Sequence, residues 1–190
     1  MNLTSTIIAA GCGATQLRAA QWLQPIQAAC DKYRIVEPLD VAAFLATTGV
    51  ESARLVYTRE IWGPTLAQQA YEPPSTKASE LGNTQPGDGR LFCGRGLIQI
   101  TGRRNYTLAA VSLDLDLLNH PELLEQAGNA AMSAGWYWFN RKLSALGVDG
   151  NFLGVSRAVN LGNATSKAMP NGYTERLALY GAAKKALGIS

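Results

Sequence analysis

Two glutamates, nine residues apart, are the first residues whose type and spacing suggest chemistry. Glu51 follows Thr48 by three positions and Phe44 by seven, on the helical face that Val41, Phe44 and Leu45 would bury. A carboxyl carried toward a core loses solvation, which disfavours its charged form and suits it to hold a proton for general-acid work. The competing reading makes Glu51 a structural residue, capping or paired with Arg54 at i+3. Glu60 sits where the chain turns polar, and would serve as a base if it stayed ionised. In an unbroken helix nine residues rise about 13.5 Å and turn the second side chain to the opposite face. The pair therefore cooperates only if the helix ends between them, and Tyr57-Thr58 is the expected place. A reversal there would bring the carboxyls to the roughly 6.5–9.5 Å that admits an attacking water. A solvated surface glutamate is the alternative for Glu60.

Other candidates are weaker. His120, the only histidine, precedes a proline in NHPELL. With no serine or cysteine in a nucleophile motif to accompany it, a structural or capping role is expected. Gly94-Arg95-Gly96 completes neither GxGxxG nor GxxxxGKS/T, so a phosphate loop is excluded. Cys12, Cys30 and Cys93 are odd in number and form no CxxC pair, which indicates neither a disulfide framework nor a zinc site.

The elements that must position the glutamates follow from periodicity. Ala19, Trp22, Leu23, Ile26, Ala29, Cys30 and Tyr33 recur at offsets of three and four, predicting a helix over about 17–33 that Pro25 should kink or divide. A second helix is expected from Pro38, with proline in its first turn, through Glu51. Residues 63–89 hold Pro64, Pro73, Pro74 and Pro86 with several glycines, and read mainly as loop; a connection that long tends to be functional, such as the rim of a cleft. LFCGRGLIQITG follows as a short extended segment. Further helices are expected from about Arg103, over 126–140, over about 151–161 and over about 174–187. Trp136 and Trp138, two apart, should have at most one ring in the core.

The chain has 190 residues, 47% of them hydrophobic and 16% charged, enough for one well-formed core and one domain. A net charge of +3 favours approach to anionic polymers without choosing among them. No run of Lys and Arg exceeds two residues, so the footprint of a nucleic-acid binder is missing. The apolar run Ile7 to Ala10 before Gly11-Cys12 is too short for a signal sequence and lacks a basic flank. No stretch approaches the ~20 apolar residues of a membrane span.

The segment GRGLIQITGRRNY, Gly94 to Tyr106, with FLATTGVES before it and AVNLGNATSKAMPNGYTERLALY after it, resembles family 19 glycoside hydrolases. Within that family the chain is most similar to the lysozyme-like endolysins of phages and prophages, from about Trp22 to Tyr180. The resemblance implies a mostly α-helical, lysozyme-like, two-lobed domain over 1–190, with a central substrate cleft and at most a short β-hairpin. By position it implies that Glu51 is the general acid and Glu60 the general base of an inverting hydrolysis. Gln99, Thr101 and Asn105 would line sugar subsites, with Thr101 helping to position the water and Tyr106 adding a substrate contact. Trp62, read from its place on the loop after Glu60, is a candidate for stacking on a sugar ring, with packing against the lobe the alternative. Asn160 and Arg176 match a family asparagine and arginine, and Arg176 is expected beside Glu60 or Asn160, orienting the base. Val50 stands where the family commonly has a histidine.

The expected substrate is the β-1,4-linked glycan strand of peptidoglycan. A chitinase, or an inactive wall-binding relative, is the alternative. No cofactor, no metal, no nucleic-acid partner and no stable membrane association are expected. The chain would be a monomer, made in the host cytoplasm and reaching the wall after a separate holin-type membrane protein acts.

Overall fold

The run LDVAAFLATTG gives a helix no polar face, so that helix has to be enclosed. The computed structural model describes residues 1–189 and shows this arrangement. In chain order the helices are α1 (Ser5–Cys12), α2 (Gln16–Tyr33), α3 (Pro38–Glu51), α4 (Leu66–Gln69), α5 (Thr76–Leu81), α6 (Asp88–Leu91), α7 (Arg103–Leu113), α8 (Ala127–Asn140), α9 (Leu143–Val148), α10 (Phe152–Leu161) and α11 (Tyr173–Ala186), with a 3-10 turn at Pro121–Glu125. Every residue of α3 from Asp40 to Gly49 is buried, and α1, α9, α10 and α11 pack around it. Asp40, the one charge in this stretch, accepts the indole N–H of Trp138 at 2.9 Å. Burial pushes its carboxyl above the ordinary range, against hydrogen bonds from Ser144 and Trp138.

Hydrophobic burial is divided between two clusters. The larger surrounds α3, with Ile8, Ile26, Phe44, Leu45 and Trp138 among its members. A smaller one gathers Phe92, Ile100, Tyr106, Leu117, Leu124 and Trp136. Tyr33 and Tyr137 pack against both, so α2 and α8 form the wall between them. Trp136 and Trp138 are therefore both buried, each in a different cluster, which corrects the expectation of one core ring. The rule that opposite faces cannot both be core fails for a helix sandwiched between two cores.

Several elements differ from the sequence reading. Pro25 does not divide α2. Its missing donor would have served the carbonyl of Gln21, an exposed residue that solvent can satisfy. Residues 63–89 are not plain loop, since α4, α5 and α6 lie within them. Thr65 and Gln68 form a capping box on α4, and Ser75 caps α5 through the Ala78 N–H. The carboxylates of Glu72 and Asp88 accept backbone N–H groups of residues 84, 85, 87 and 90, which gives this segment an internal scaffold. α1 and α9 escape periodicity because each is too short to display it. The expected extended stretch around the GRG motif makes only the isolated bridges Arg59 to Arg95 and Arg95 to Ile100, and no strand forms among the described residues. No helix among them is long and apolar enough to cross a membrane.

α1 crosses α3 backbone to backbone just before Glu51. A Cβ at Gly49 would lie 2.5 Å from Cys12 Cα and 2.6 Å from its carbonyl oxygen, and one at Gly11 would lie 2.8 Å from Leu45 Cβ. Backbone cannot yield as a flexible side chain does. Gly49→Ala is therefore expected to cost about 1–3 kcal/mol through overpacking. Urea unfolding measures it, and an unchanged midpoint would show that this crossing is loose.

Candidate active site

α3 ends at Glu51 because the next residues leave helical space together. Ala53, Arg54 and Leu55 have φ of 49°, 64° and 63°, three consecutive left-handed residues without a glycine. Each such residue costs about 1–2 kcal/mol. Offsetting contacts are at hand: Ser52 Oγ donates to Thr48 O and accepts the Leu55 N–H at 2.9 Å, the Arg54 N–H reaches Gly49 O, and the Leu55 side chain is buried. The reversal thus follows Glu51 directly, earlier than the Tyr57-Thr58 expected from sequence. Its hydrogen bonds join the Ser52 hydroxyl to the Leu55 backbone N–H, and serine is the weak one among turn formers, with no Gly, Pro, Asn or Asp between 52 and 58 to mark the turn.

The reversed chain then lies along the GRG motif. Glu60 N–H donates to Gly94 O at 2.8 Å, and Gly96 N–H to Thr58 O at 2.9 Å. Three donors converge on the Glu60 carboxylate: Gln68 Nε2 at 2.9 Å and Tyr71 Oη at 3.5 Å on Oε1, and the Gly94 N–H at 3.0 Å on Oε2. Gln68 is buried, and its own oxygen accepts the N–H groups of Gly63 and Thr65. Burial and the neighbouring Glu60 push the Tyr71 hydroxyl above its ordinary pKa of 10.0, so it stays a proton-bearing donor at neutral pH. Sequence reasoning missed both Gln68 and Tyr71. The T-x-x-Q pattern at 65–68 was the available signal, since it marks an ordered helix start inside the supposed loop.

Glu51 meets a different partner from the one anticipated. Arg54 pairs with Glu175 at 3.2 Å, not with Glu51. Arg176, only 3% exposed, donates from Nη2 to Glu51 Oε1 and from Nε to Asn171 O at 3.1 Å. It was expected beside Glu60 or Asn160. Asn160 is one link away, its Oδ1 accepting the Asn171 N–H at 2.8 Å. The correction has a geometric origin: α11 packs on α3, so a guanidinium in its first turn reaches the end of α3 rather than the 58–60 stretch.

The cleft is made of two adjoining cavities. One, of about 550 Å³, is lined by Glu51, Tyr71, Gln99, Thr101, Asn105 and Asn160, with Trp136 and Tyr137 as aromatic wall. The other, of about 250 Å³, holds Glu60, Val50, Tyr57, Arg59 and Ile61, and again Glu51 and Gln99. Glu51 and Gln99 stand at the junction, and Glu51 shares the smaller cavity with Glu60.

Gln99 adopts a left-handed φ of 54° and its amide donates to Gly96 O; Thr101 Oγ1 donates to Gln99 O, and Asn105 Nδ2 to Thr101 O. Gly94 leaves room for this arrangement, because a Cβ there would lie 2.7 Å from Gln99 Oε1. Tyr106 is not in the cleft. It is fully buried in the second cluster, its hydroxyl donating to Cys93 O at 2.7 Å, because the helical step from Asn105 turns it inward. Trp62 is half-buried beside Tyr71, ring centroids 6.2 Å apart, and lines neither cavity. His120 precedes the 3-10 turn without a capping hydrogen bond from its side chain and meets Glu122, and it lines neither cavity of the cleft. Burial pushes the Cys12 and Cys30 thiols up to about 12, which disqualifies them as nucleophiles.

The family profile described as class I chitinase, glycosyl hydrolase family 19, matches residues 16–154. The chain belongs to glycoside hydrolase family 19. This family 19 chain is 31% identical over 183 residues to a glycosyl hydrolase family 19 domain-containing protein of Haemophilus influenzae, covering 83% of the chain and 84% of that protein. It is 33% identical over 135 residues to the endochitinase CHI of Arabidopsis thaliana, covering 68% of the chain but 47% of that protein. The chain thus spans about half the length of that plant relative. Its fold matches chitinase C of Streptomyces griseus with a TM-score of 0.72 at 21% identity, over 98% of this chain and 77% of the other. A bacterial family 19 chitinase matches with 0.71 at 22% identity, over 100% and 97%.

Arg176 touches Glu51 and Asn171 with two faces of one planar fork, which a compact ammonium cannot reproduce. Arg176→Lys is expected to fold and to lose roughly tenfold or more of kcat, as a charge-assisted hydrogen bond is lost. Full activity of the purified variant would remove Arg176 from the site.

Proposed function

We propose that this chain is an endolysin that hydrolyses β-1,4 glycosidic bonds of peptidoglycan glycan strands by single displacement with inversion. The observation that carries the reading is the shared cavity of Glu51 and Glu60, joined to a larger one walled by amides, a hydroxyl and aromatic rings. Amide and hydroxyl side chains suit the N-acetyl and hydroxyl groups of amino sugars, and aromatic faces suit sugar rings. Arg176 engages only Oε1 of Glu51, which leaves Oε2 to carry the proton to the departing glycosidic oxygen. Glu60, fixed by three donors, draws a proton from a water that attacks the anomeric carbon from the opposite face. Thr101, at the cleft wall, helps to position that water. One bond to the leaving sugar breaks as one bond to water oxygen forms. Both protons are handled by carboxylates, so the mechanism calls for no metal or organic cofactor.

Chitin is the second reading, favoured by the names of the relatives, several of which are endochitinases. Both polymers present β-1,4-linked N-acetylglucosamine, and the cleft chemistry suits either. A wall-binding relative without turnover is disfavoured by the presence of both glutamates. On the endolysin reading the chain acts as one catalytic domain and as a monomer. It is made in the host cytoplasm and meets the wall after a holin-type protein opens the membrane.

Glu51→Gln keeps the shape of the side chain and removes the transferable proton. It is expected to fold and to lose about 10²–10⁴-fold in rate. The assay is turbidity loss of outer-membrane-permeabilised bacteria, run beside soluble chitin oligomers, which separates the two substrates. Proton NMR of the first product should show the α-anomer, as inversion of a β bond requires. A folded Glu51→Gln chain that works at the parent's rate would refute the assignment.

A further inference from the structure

A third cavity, of about 530 Å³, lies beside the cleft and is lined by Arg59, Arg90, Arg95, Arg103, Asp88 and Leu91. Two of its four arginines are already paired with carboxylates. Arg95 is buried, with Nε on Glu125 at 2.8 Å and Nη1 on Leu91 O and Tyr106 Oη. Arg103 forks onto Asp88 through Nε and Nη2. The other two are not committed. Arg59 approaches only Glu125, at 3.8 Å and without a hydrogen bond, and the Arg90 side chain makes no hydrogen bond or ion pair among the described residues. Both are exposed. Glu72, the remaining carboxylate of this edge, spends its oxygens on the backbone N–H groups of Gly87 and Arg90. The nearby carboxylates are thus already engaged, while two planar guanidinium forks stand open. A fork of that kind binds carboxylate or phosphate with two parallel hydrogen bonds.

Position supplies the second half of the argument. Arg59 lines both this pocket and the smaller cavity that holds Glu51 and Glu60. Its backbone is in the stretch that carries Glu60, bridged to Arg95. An acidic group attached to a sugar at the carboxylate pair would therefore meet Arg59 first and Arg90 beyond it. Chitin is uncharged and offers no such group. Peptidoglycan carries peptide stems with free carboxylates on alternate sugars. We propose that the Arg59–Arg90 pocket receives the carboxylates of a peptide stem while its glycan strand lies across Glu51 and Glu60. This rests on the glycan-cleaving reading above and narrows its substrate to peptide-bearing strands.

The test is binding without turnover, using the full chain carrying Glu51→Gln. Calorimetry compares soluble glycan strands bearing peptide stems with the same strands stripped of them by an amidase. Stem-bearing strands are expected to bind about tenfold more tightly, the range of a charge-assisted pair, and the advantage should shrink as salt rises. Adding Arg59→Gln and Arg90→Gln together should erase the advantage, and Arg90→Gln by itself should leave stripped strands unchanged. Arg90→Gln alone, at an exposed and unpaired side chain, guards against a folding defect and should remove part of the advantage. Equal binding of both strand types would overturn the proposal, as would inorganic phosphate competing better than free stem peptide. Hydrolysis of stem-bearing strands by the parent chain is measured separately. Its absence would sink the glycosidase reading without touching the binding difference.

Discussion

A guanidinium with almost no access to solvent meets a carboxylate 125 residues away in sequence, and the geometry of the cleft depends on that pair. A buried guanidinium without partners costs several kcal/mol, so Arg176 is enclosed where Glu51 Oε1 and Asn171 O receive its N–H groups. The pair ties the first turn of α11 to the last residue of α3. It also draws in Asn171, held from one side by Arg176 and from the other by Asn160. The segment after α10 is thereby fastened to the wall of the larger cavity. Arg176 Nη1 is buried with no hydrogen-bond partner among the described residues.

The second glutamate is held by different means. Glu60 does not sit on a helix but on a short extended stretch whose backbone is hydrogen-bonded to Gly94 and Gly96. Its side chain is gripped by Gln68, Tyr71 and the Gly94 N–H, so two segments far apart in the chain agree on one orientation. The left-handed run at 53–55 joins the two glutamates. That strain is local, and the burial of Leu55 and the bonds of Ser52 oppose it. The cleft itself runs where the two hydrophobic clusters meet. Ile98 of one cluster and Ile100 and Trp136 of the other all line the larger cavity.

The glycines of the motif have physical explanations that separate their roles. Gly94 leaves space for the Gln99 side chain, whereas Gly96 combines a left-handed φ of 83° with a close approach to Ser133 on α8. The first shapes the wall of the cleft, and the second sets the distance between the motif and the wall helix. Neither role requires the phosphate chemistry that a glycine pair might suggest.

By itself the sequence determined the long helices, because the stripe from Ala19 to Tyr33 and the enclosed run from Val41 to Thr48 have only one way to bury their apolar side chains. It also determined the family, through Gly94 to Tyr106, and with it the pair Glu51 and Glu60 as candidates. Three things were decided only in three dimensions. The chain reverses at residues 53–55, because Ser52 and Leu55 find partners there that no Gly, Pro, Asn or Asp announces. Gln68 and Tyr71 reach Glu60 because the proline-rich segment is organised by its own carboxylates into short helices. Arg176 serves Glu51 rather than Glu60, and Tyr106 turns into the core, because helix packing chooses which face each presents. Local pattern specifies which side chains must be buried; which of the remaining polar groups meet is set by contacts between segments far apart in the chain.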